Sequence, residues 1–136
     1  MTKPIRQEDG MGCGVACVAF IVGQSYKKTK NDLIKNRQKA LKQGYLCKEL
    51  VDALKGAGLT YTYHYLKRPL RYRDSMIVFI KRSKRFPRGH YLVKTSMGWM
   101  DPWINLSPNA DVKKSVAGFR NRLPGKVSYV LVPIKS

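Results

Sequence analysis

Three residue types in this chain can together cut an acyl bond: a cysteine as nucleophile, a histidine to carry its proton, and a carboxylate to orient that histidine. The cysteines are Cys13, Cys17 and Cys47, and the histidines are His64 and His90. Cys13 stands apart because it follows Gly10-Met11-Gly12 and opens the nearly all-apolar run from Gly14 to Val22. That run, ended by Gly23, reads as a buried helix. At a helix start the free N–H groups and the macrodipole favour a thiolate. The flanking Gly12 and Gly14 leave room for a substrate backbone. A tetrahedral intermediate also needs donors for its oxyanion. The N–H of Cys13 is one, and the side-chain amide of Gln7, six residues upstream, has the chemistry of a second. Cys17, one turn beyond Cys13, and Cys47 read as core packing.

The histidine is a choice of two. His64 sits within the alternating stretch Tyr61–Tyr65, where a polar residue on the wet face is the plain explanation. His90 follows Arg88-Gly89 at the start of a strand, at the end of a sheet where sites gather, and ranks first. Asp101 comes eleven residues later on a returning strand and precedes Pro102. A tight hairpin through Ser96-Met97-Gly98 brings it near His90, whose ring its carboxylate can then hold. Register decides the matter, because a slip of one residue turns Asp101 to the opposite face. Gly12, Arg88 and Gly89, beside the candidate nucleophile and base, are the candidate substrate contacts.

These residues need a scaffold. After the apolar helix comes a Lys-rich stretch from Lys27 to Leu41, which reads as a solvated helix, and then Leu46 to Lys55, with apolar residues at i, i+4 and i+8. Gly56 and Gly58 stop it. The period then changes, and strands are expected at Tyr61–Tyr65, Met76–Ile80, His90–Thr95, Trp99–Ile104 and Val127–Pro133. Helices first and strands later predict an α+β fold with an antiparallel sheet. A length of 136 residues suits a single domain, 1–136.

Charge is the compositional anomaly. Lys and Arg number 27 against 8 Asp and Glu, a formal net charge of +19 with a pI near 10.2. Such a balance points to an acidic peptide or protein, to nucleic acid, or to an anionic surface. The segment Lys81–Arg88 leads straight into His90, and Arg68, Arg71 and Arg73 lie among Tyr65 and Tyr72. Arginine interleaved with aromatics suits phosphate contact and base stacking, and equally the steering of an acidic peptide. No run approaches the roughly 20 apolar residues of a spanning helix, and the polar N-terminus lacks the apolar core of a signal peptide. Three cysteines without zinc-like spacing predict neither a metal site nor a disulfide framework. No cofactor is expected, and the plain reading is a soluble protein of a reducing compartment, the cytoplasm.

The stretch from Gln7 to Cys17, with its glutamine, five residues, then Cys13-Gly14, an alanine and a second cysteine, resembles the active-site motif of the bacteriocin-processing peptidases. Those enzymes cut leader peptides after a double glycine. Gly44-Tyr45-Leu46 with Leu50, Ala53, Gly58 and Leu59 is similar to the family's second helical segment. Gly89-His90-Tyr91-Leu92-Val93 resembles its histidine strand, and Asp101-Pro102 its aspartate-proline step. The ordered set runs from about Ile5 to Pro133. The resemblance implies a papain-like fold with helices packed on an antiparallel sheet. It implies Cys13 as nucleophile, His90 as general base and acid, Asp101 as orienter and Gln7 as oxyanion donor. The family usually carries an aspartate just before the cysteine, where this chain has Gly12. Transporter-linked members continue into membrane and ATPase segments, so the chain is expected to be a free-standing relative. The expected function is hydrolysis of a peptide bond, after a double-glycine leader on the family pattern. The rival is a strongly basic module, a toxin or effector included, that binds nucleic acid or an acidic partner on a peptidase-like scaffold.

Overall fold

A computed structural model describes residues 3–134. The outer ends of the expected domain, with the first two residues of the polar N-terminus, lie outside it. The elements in chain order are α1 (Cys13–Val22), α2 (Tyr26–Asp32), α3 (Lys39–Lys42), α4 (Cys47–Gly56), β1 (Tyr61–Tyr65), β2 (Ile77–Ile80), β3 (His90–Thr95), β4 (Gly98–Asp101), β5 (Gly118–Arg120) and β6 (Val127–Pro133). The strands form one sheet in the order β1-β6-β2-β3-β4-β5, and all its pairings are antiparallel. None of the described helices is long and apolar enough to cross a membrane.

α1 is apolar on every side because every side is covered: from Cys13 to Phe20 it is buried. Gly23 ends it in a left-handed conformation, φ 76°, and donates its N–H to Ala19 O. α4 shows the opposite pattern, with Leu50, Ala53 and Leu54 buried along one stripe. Sequestering each of those leucines is worth ~1.5–3 kcal/mol. At its start the Glu49 carboxylate accepts the Leu46 N–H at 2.8 Å, which satisfies one of the orphan donors of the first turn.

The Lys-rich segment differs from expectation: the single helix from Lys27 to Leu41 is two short ones. Thr29, Ile34 and Ala40 are all buried. On one straight helix Thr29 and Ala40 would share a direction to within about 20°, but Ile34 would point about 120–140° away from both, so no single narrow face could bury all three. The chain breaks after Leu33 instead, and the Tyr45 hydroxyl donates to the freed Asn36 carbonyl at 2.8 Å.

The sheet separates two apolar layers by simple alternation. Ile77, Tyr91, Val93, Met100 and Leu131 face the helices and pack with Cys17, Leu50 and Leu54. Met76, Val78, Ile80, Leu92, Trp99 and Val130 face the other way, where loops carrying Leu66, Tyr72, Phe86, Leu106 and Leu123 cover them. β4 stops at Asp101 rather than Ile104, because Pro102 has no N–H with which to continue the ladder. β5, with only three residues, has no counterpart among the expected strands.

Candidate active site

The hairpin of β3 and β4 settles the register. Thr95 pairs with Gly98, Lys94 with Trp99 and Val93 with Met100, around the two-residue turn Ser96-Met97. One step further in that register sets Asp101 across from Leu92, on the face that Trp99 and His90 share. Asp101 and His90 are both buried, and His90 Nε2 lies 2.6 Å from Asp101 Oδ1. Because an ionised carboxylate only accepts, that nitrogen carries the proton and Nδ1 is left for other work. The Cys13 thiol at the start of α1 lies close enough to this ring to help raise its pKa. No side chain caps α1, so its first N–H groups remain available beside that sulfur.

Three further contacts fix the imidazole and the carboxylate. Phe86 stacks on the His90 ring at 4.9 Å between centroids and 4° between planes. Asp101 Oδ1 also accepts the Trp103 N–H at 2.9 Å, and Oδ2 accepts Arg120 Nε at 2.6 Å. Burial opposes protonation of His90, but the hydrogen bonds and charges of Asp101 and Cys13 outweigh it and push the pKa up to about 9. Burial would likewise raise Asp101, yet the hydrogen bond and charge of His90, with the bonds from Arg120 and the Trp103 N–H, hold it below the usual carboxylate range. Burial first, with the Cys13 and Asp101 charges added, pushes the Cys17 thiol well up. Burial also raises Cys47, whose sulfur lies 3.6 Å from the Tyr91 hydroxyl. All three cysteines are free thiols.

A pH dependence follows. The folded pKa of His90 lies above its ordinary 6.5, so its contribution to stability is full below about pH 6.5 and is lost as pH rises through about 9. Denaturant titrations across that window should show stability falling in the native protein, and a His90→Gln variant should lack that part of the fall.

The remaining expected site residues are placed unevenly. His64 lies on β1, three strands from β3 and so ~14 Å away, with an exposed side chain, and takes no part in this cluster. Gln7 is buried near the cluster, its backbone N–H donating to Pro102 O at 3.2 Å. Its amide Nε2 donates to Asp9 O at 3.0 Å and Gly10 O at 3.2 Å, and Oε1 is buried without a partner. Those two carbonyls fix which end of the amide is nitrogen. Arg88 is exposed.

The glycines beside Cys13 and His90 are closely packed. The space a side chain would take at Gly12 is filled by the Tyr26 hydroxyl, and at Gly14 by Leu50 and Tyr91. At Gly89 it is filled by Phe79, and φ is +78°. All three serve close internal packing on those sides, and Gly89 also serves a turn that only glycine adopts freely.

Three features escaped the sequence reading. Arg120 is hidden among many basic residues and lies on the unforeseen β5. Phe86, inside the basic segment, carried no periodic signal. The third is a row of aromatics on the helix side of the sheet. Pairing aligns Tyr65 with Tyr129, Tyr129 with Phe79, and Phe79 with Tyr91. Tyr65 and Tyr129 are exposed, Phe79 is half-buried, and Tyr91 is buried against Gly14, next to Cys13. Near the other side of His90, Lys81, Arg82, Lys84, Arg85 and Arg88 are exposed on the loop between β2 and β3. Arg85 lies 5.4 Å from the Phe86 ring and donates to Ile104 O and Leu106 O, which ties this loop to the one after β4.

A family model described as the peptidase C39 family matches residues 1–121 of the chain. No curated protein matches it. Among solved structures, it is similar to the peptidase domain of Streptococcus ComA, a bi-functional ABC transporter involved in a quorum-sensing pathway. The two share 22% sequence identity with a TM-score of 0.51, over 98% of this chain and 100% of that one. The α+β architecture expected from the order of helices and strands, and the papain-like fold implied by the resemblance, both hold. The chain belongs to the peptidase C39 family and is a cysteine peptidase.

Proposed function

We propose that the chain hydrolyses a peptide bond through Cys13, His90 and Asp101, on an acidic substrate cut after a double glycine. The observation that carries the chemistry is the buried His90–Asp101 pair, with Cys13 near enough to act on the titration of the ring. In the reading proposed, Cys13 Sγ attacks the scissile carbonyl while the Cys13 proton resides on His90. The Cys13 N–H is the first oxyanion donor, at an uncapped helix start. Gln7 is the second, and this role requires one amide hydrogen to turn from the Asp9 or Gly10 carbonyl toward the oxyanion. His90 then gives its proton to the departing amine. Water adds to the thioester with His90 as base, and the acid product leaves with Cys13 restored. The free thiols suit a reducing compartment, the cytoplasm.

The substrate reading rests on two surfaces flanking the cluster. Salt bridges join Asp9 to Lys30, Asp32 to Lys28, Glu49 to Lys39, Asp74 to Lys94 and Asp101 to Arg120. Among the described residues, none involves the cations of the 81–88 loop, so their field is available to a partner. The aromatic row offers a shelf for apolar side chains of the same peptide. An acidic polypeptide is favoured over nucleic acid because this charge lies beside the cluster that would act on a peptide.

The test is a synthetic peptide with an acidic, partly apolar stretch ahead of Gly-Gly. Cleavage after the second glycine is expected, with kcat/KM falling roughly tenfold as salt rises from about 0.05 to about 0.5 M, mainly through KM. Cleavage without salt dependence would remove the acidic preference. Salt-sensitive retention on RNA or DNA, together with an unreactive Cys13, would favour the basic binding module instead.

A further inference from the structure

We infer that Arg120 is a positioning residue for the reaction: it clamps the Asp101 carboxylate so that one oxygen faces His90, and its cation tempers the pull of that carboxylate on the ring. The inference rests on the Cys13–His90–Asp101 reading and adds a fourth member to it. Arg120 Nε donates to Asp101 Oδ2 at 2.6 Å, and Nη2 donates to Ile104 O at 2.9 Å. The guanidinium therefore bridges the carboxylate at the end of β4 and the loop that leaves it, a two-pronged hold that a planar fork of donors makes well. Without it, Oδ2 of a fully buried carboxylate would have no partner, and the carboxylate could turn about its stem away from His90.

The fold builds this contact deliberately. β5 pairs with β4 so that Arg120 stands opposite Trp99, Phe119 opposite Met100 and Gly118 opposite Asp101. Alternation then gives Arg120, Trp99, Asp101 and His90 one face of the sheet. Gly98, at φ +106°, lets the Arg120 carbonyl approach a point that any side chain would fill. Arg120 is largely buried and forms an ion pair with Asp101, unlike the exposed cations of the 81–88 loop.

The charged and titratable groups around His90 are Cys13 from α1, Asp101 from β4 and, behind it, Arg120 from β5. Cys17 lies deeper on α1, and Arg85 sits across the Phe86 ring from the loop between β2 and β3. Removing the Arg120 cation leaves Asp101 with its full charge, so imidazolium becomes easier to form. At the same time the carboxylate loses its hold, so the reacting geometry loosens.

The chain has only two histidines, which makes the experiment direct. Ring-proton NMR titrations of Arg120→Met and Arg120→Lys follow His90, with the remote His64 as internal reference. For Arg120→Met the His90 midpoint should rise by about one pH unit while His64 stays, and turnover of the acidic Gly-Gly peptide should fall roughly tenfold or more with KM within about twofold. Arg120→Lys keeps the charge without the two-pronged clamp, so the midpoint should hold while turnover still falls. The titration needs no substrate. In folded variants, an unmoved His90 midpoint in Arg120→Met, or full turnover in both, overturns the assignment. If the methionine variant fails to fold, full turnover in the lysine variant does so. Asp101→Asn, measured alongside, separates the two readings: full activity there sinks the triad itself, whereas its loss with an intact Arg120→Met sinks only the role of Arg120.

Discussion

The Cys13→Ala protein should fold as the native chain does and lose peptide hydrolysis altogether, a fall of ~10⁴-fold or more. The fold should survive because alanine is the best helix former and Cys13 lies at the first residue of α1, at the edge of the core rather than in its middle. Chemistry should not survive, because no other thiol reaches the imidazole. Cys17 is fully buried and lies a turn deeper, and Cys47 is turned to Tyr91. Cys17→Ala should therefore keep most of the activity, with stability lower by ~1 kcal/mol for the lost sulfur packing. His90→Ala should match Cys13→Ala in turnover. Labelling with iodoacetamide gives a substrate-free check: one cysteine should react fast, and mass mapping should place it at position 13. Undiminished cleavage by the Cys13→Ala protein would sink the mechanism, and fast labelling at Cys17 would relocate it.

The parts of this arrangement that were legible in the sequence are those written in local pattern. α4 runs Cys47–Gly56 against an expected Leu46–Lys55 because its apolar residues repeat at helical period, and β1 and β6 fall on their expected residues because those stretches are rich in strand-favouring Tyr, Thr and Val. The eleven-residue spacing of His90 and Asp101 was readable as a hairpin. What was not readable depends on distant partners. β5 is three half-buried residues whose only reason to be a strand is the edge of β4. Arg120 on it is one cation among 27, and only pairing singles it out. The break between α2 and α3 follows from burying Thr29, Ile34 and Ala40 on surfaces that no linear pattern displays. The glycines around Cys13 are visible in the sequence as room for close approach, but the packing against Gly12 and Gly14 comes from residues 14 to 77 positions away and leaves no local trace.

Gly12 shows what that difference predicts. Gly12→Ala should destabilise the protein by ~2–3 kcal/mol and slow the labelling of Cys13, although its backbone, at φ −94° and ψ 14°, suits any residue. The obstacle is space alone. A new Cβ would overlap the Tyr26 hydroxyl and stand 2.9 Å from Cζ of the same ring. Tyr26 is nearly fully buried and cannot simply swing out, because its hydroxyl donates to Asp9 Oδ2 at 2.7 Å while Lys30 Nζ holds the same oxygen at 2.8 Å. The carboxylate that the family usually carries just before the cysteine has no room here. The acidic group of this loop is instead Asp9, three residues earlier, which reaches the turn at Gly12 through Tyr26. The two positions should therefore be coupled. Tyr26→Phe alone removes one hydrogen bond and should cost about 1 kcal/mol. Combined with Gly12→Ala it also removes the atom that clashes, so the double variant should be more stable than the sum of the single effects by about 1 kcal/mol or more, and should recover part of the Cys13 labelling rate. Denaturant melts of the four proteins measure that coupling directly. Strict additivity would mean that Gly12 is needed for something other than the Tyr26 hydroxyl, and a Gly12→Asp protein of native stability would show that the loop can hold the family's carboxylate after all.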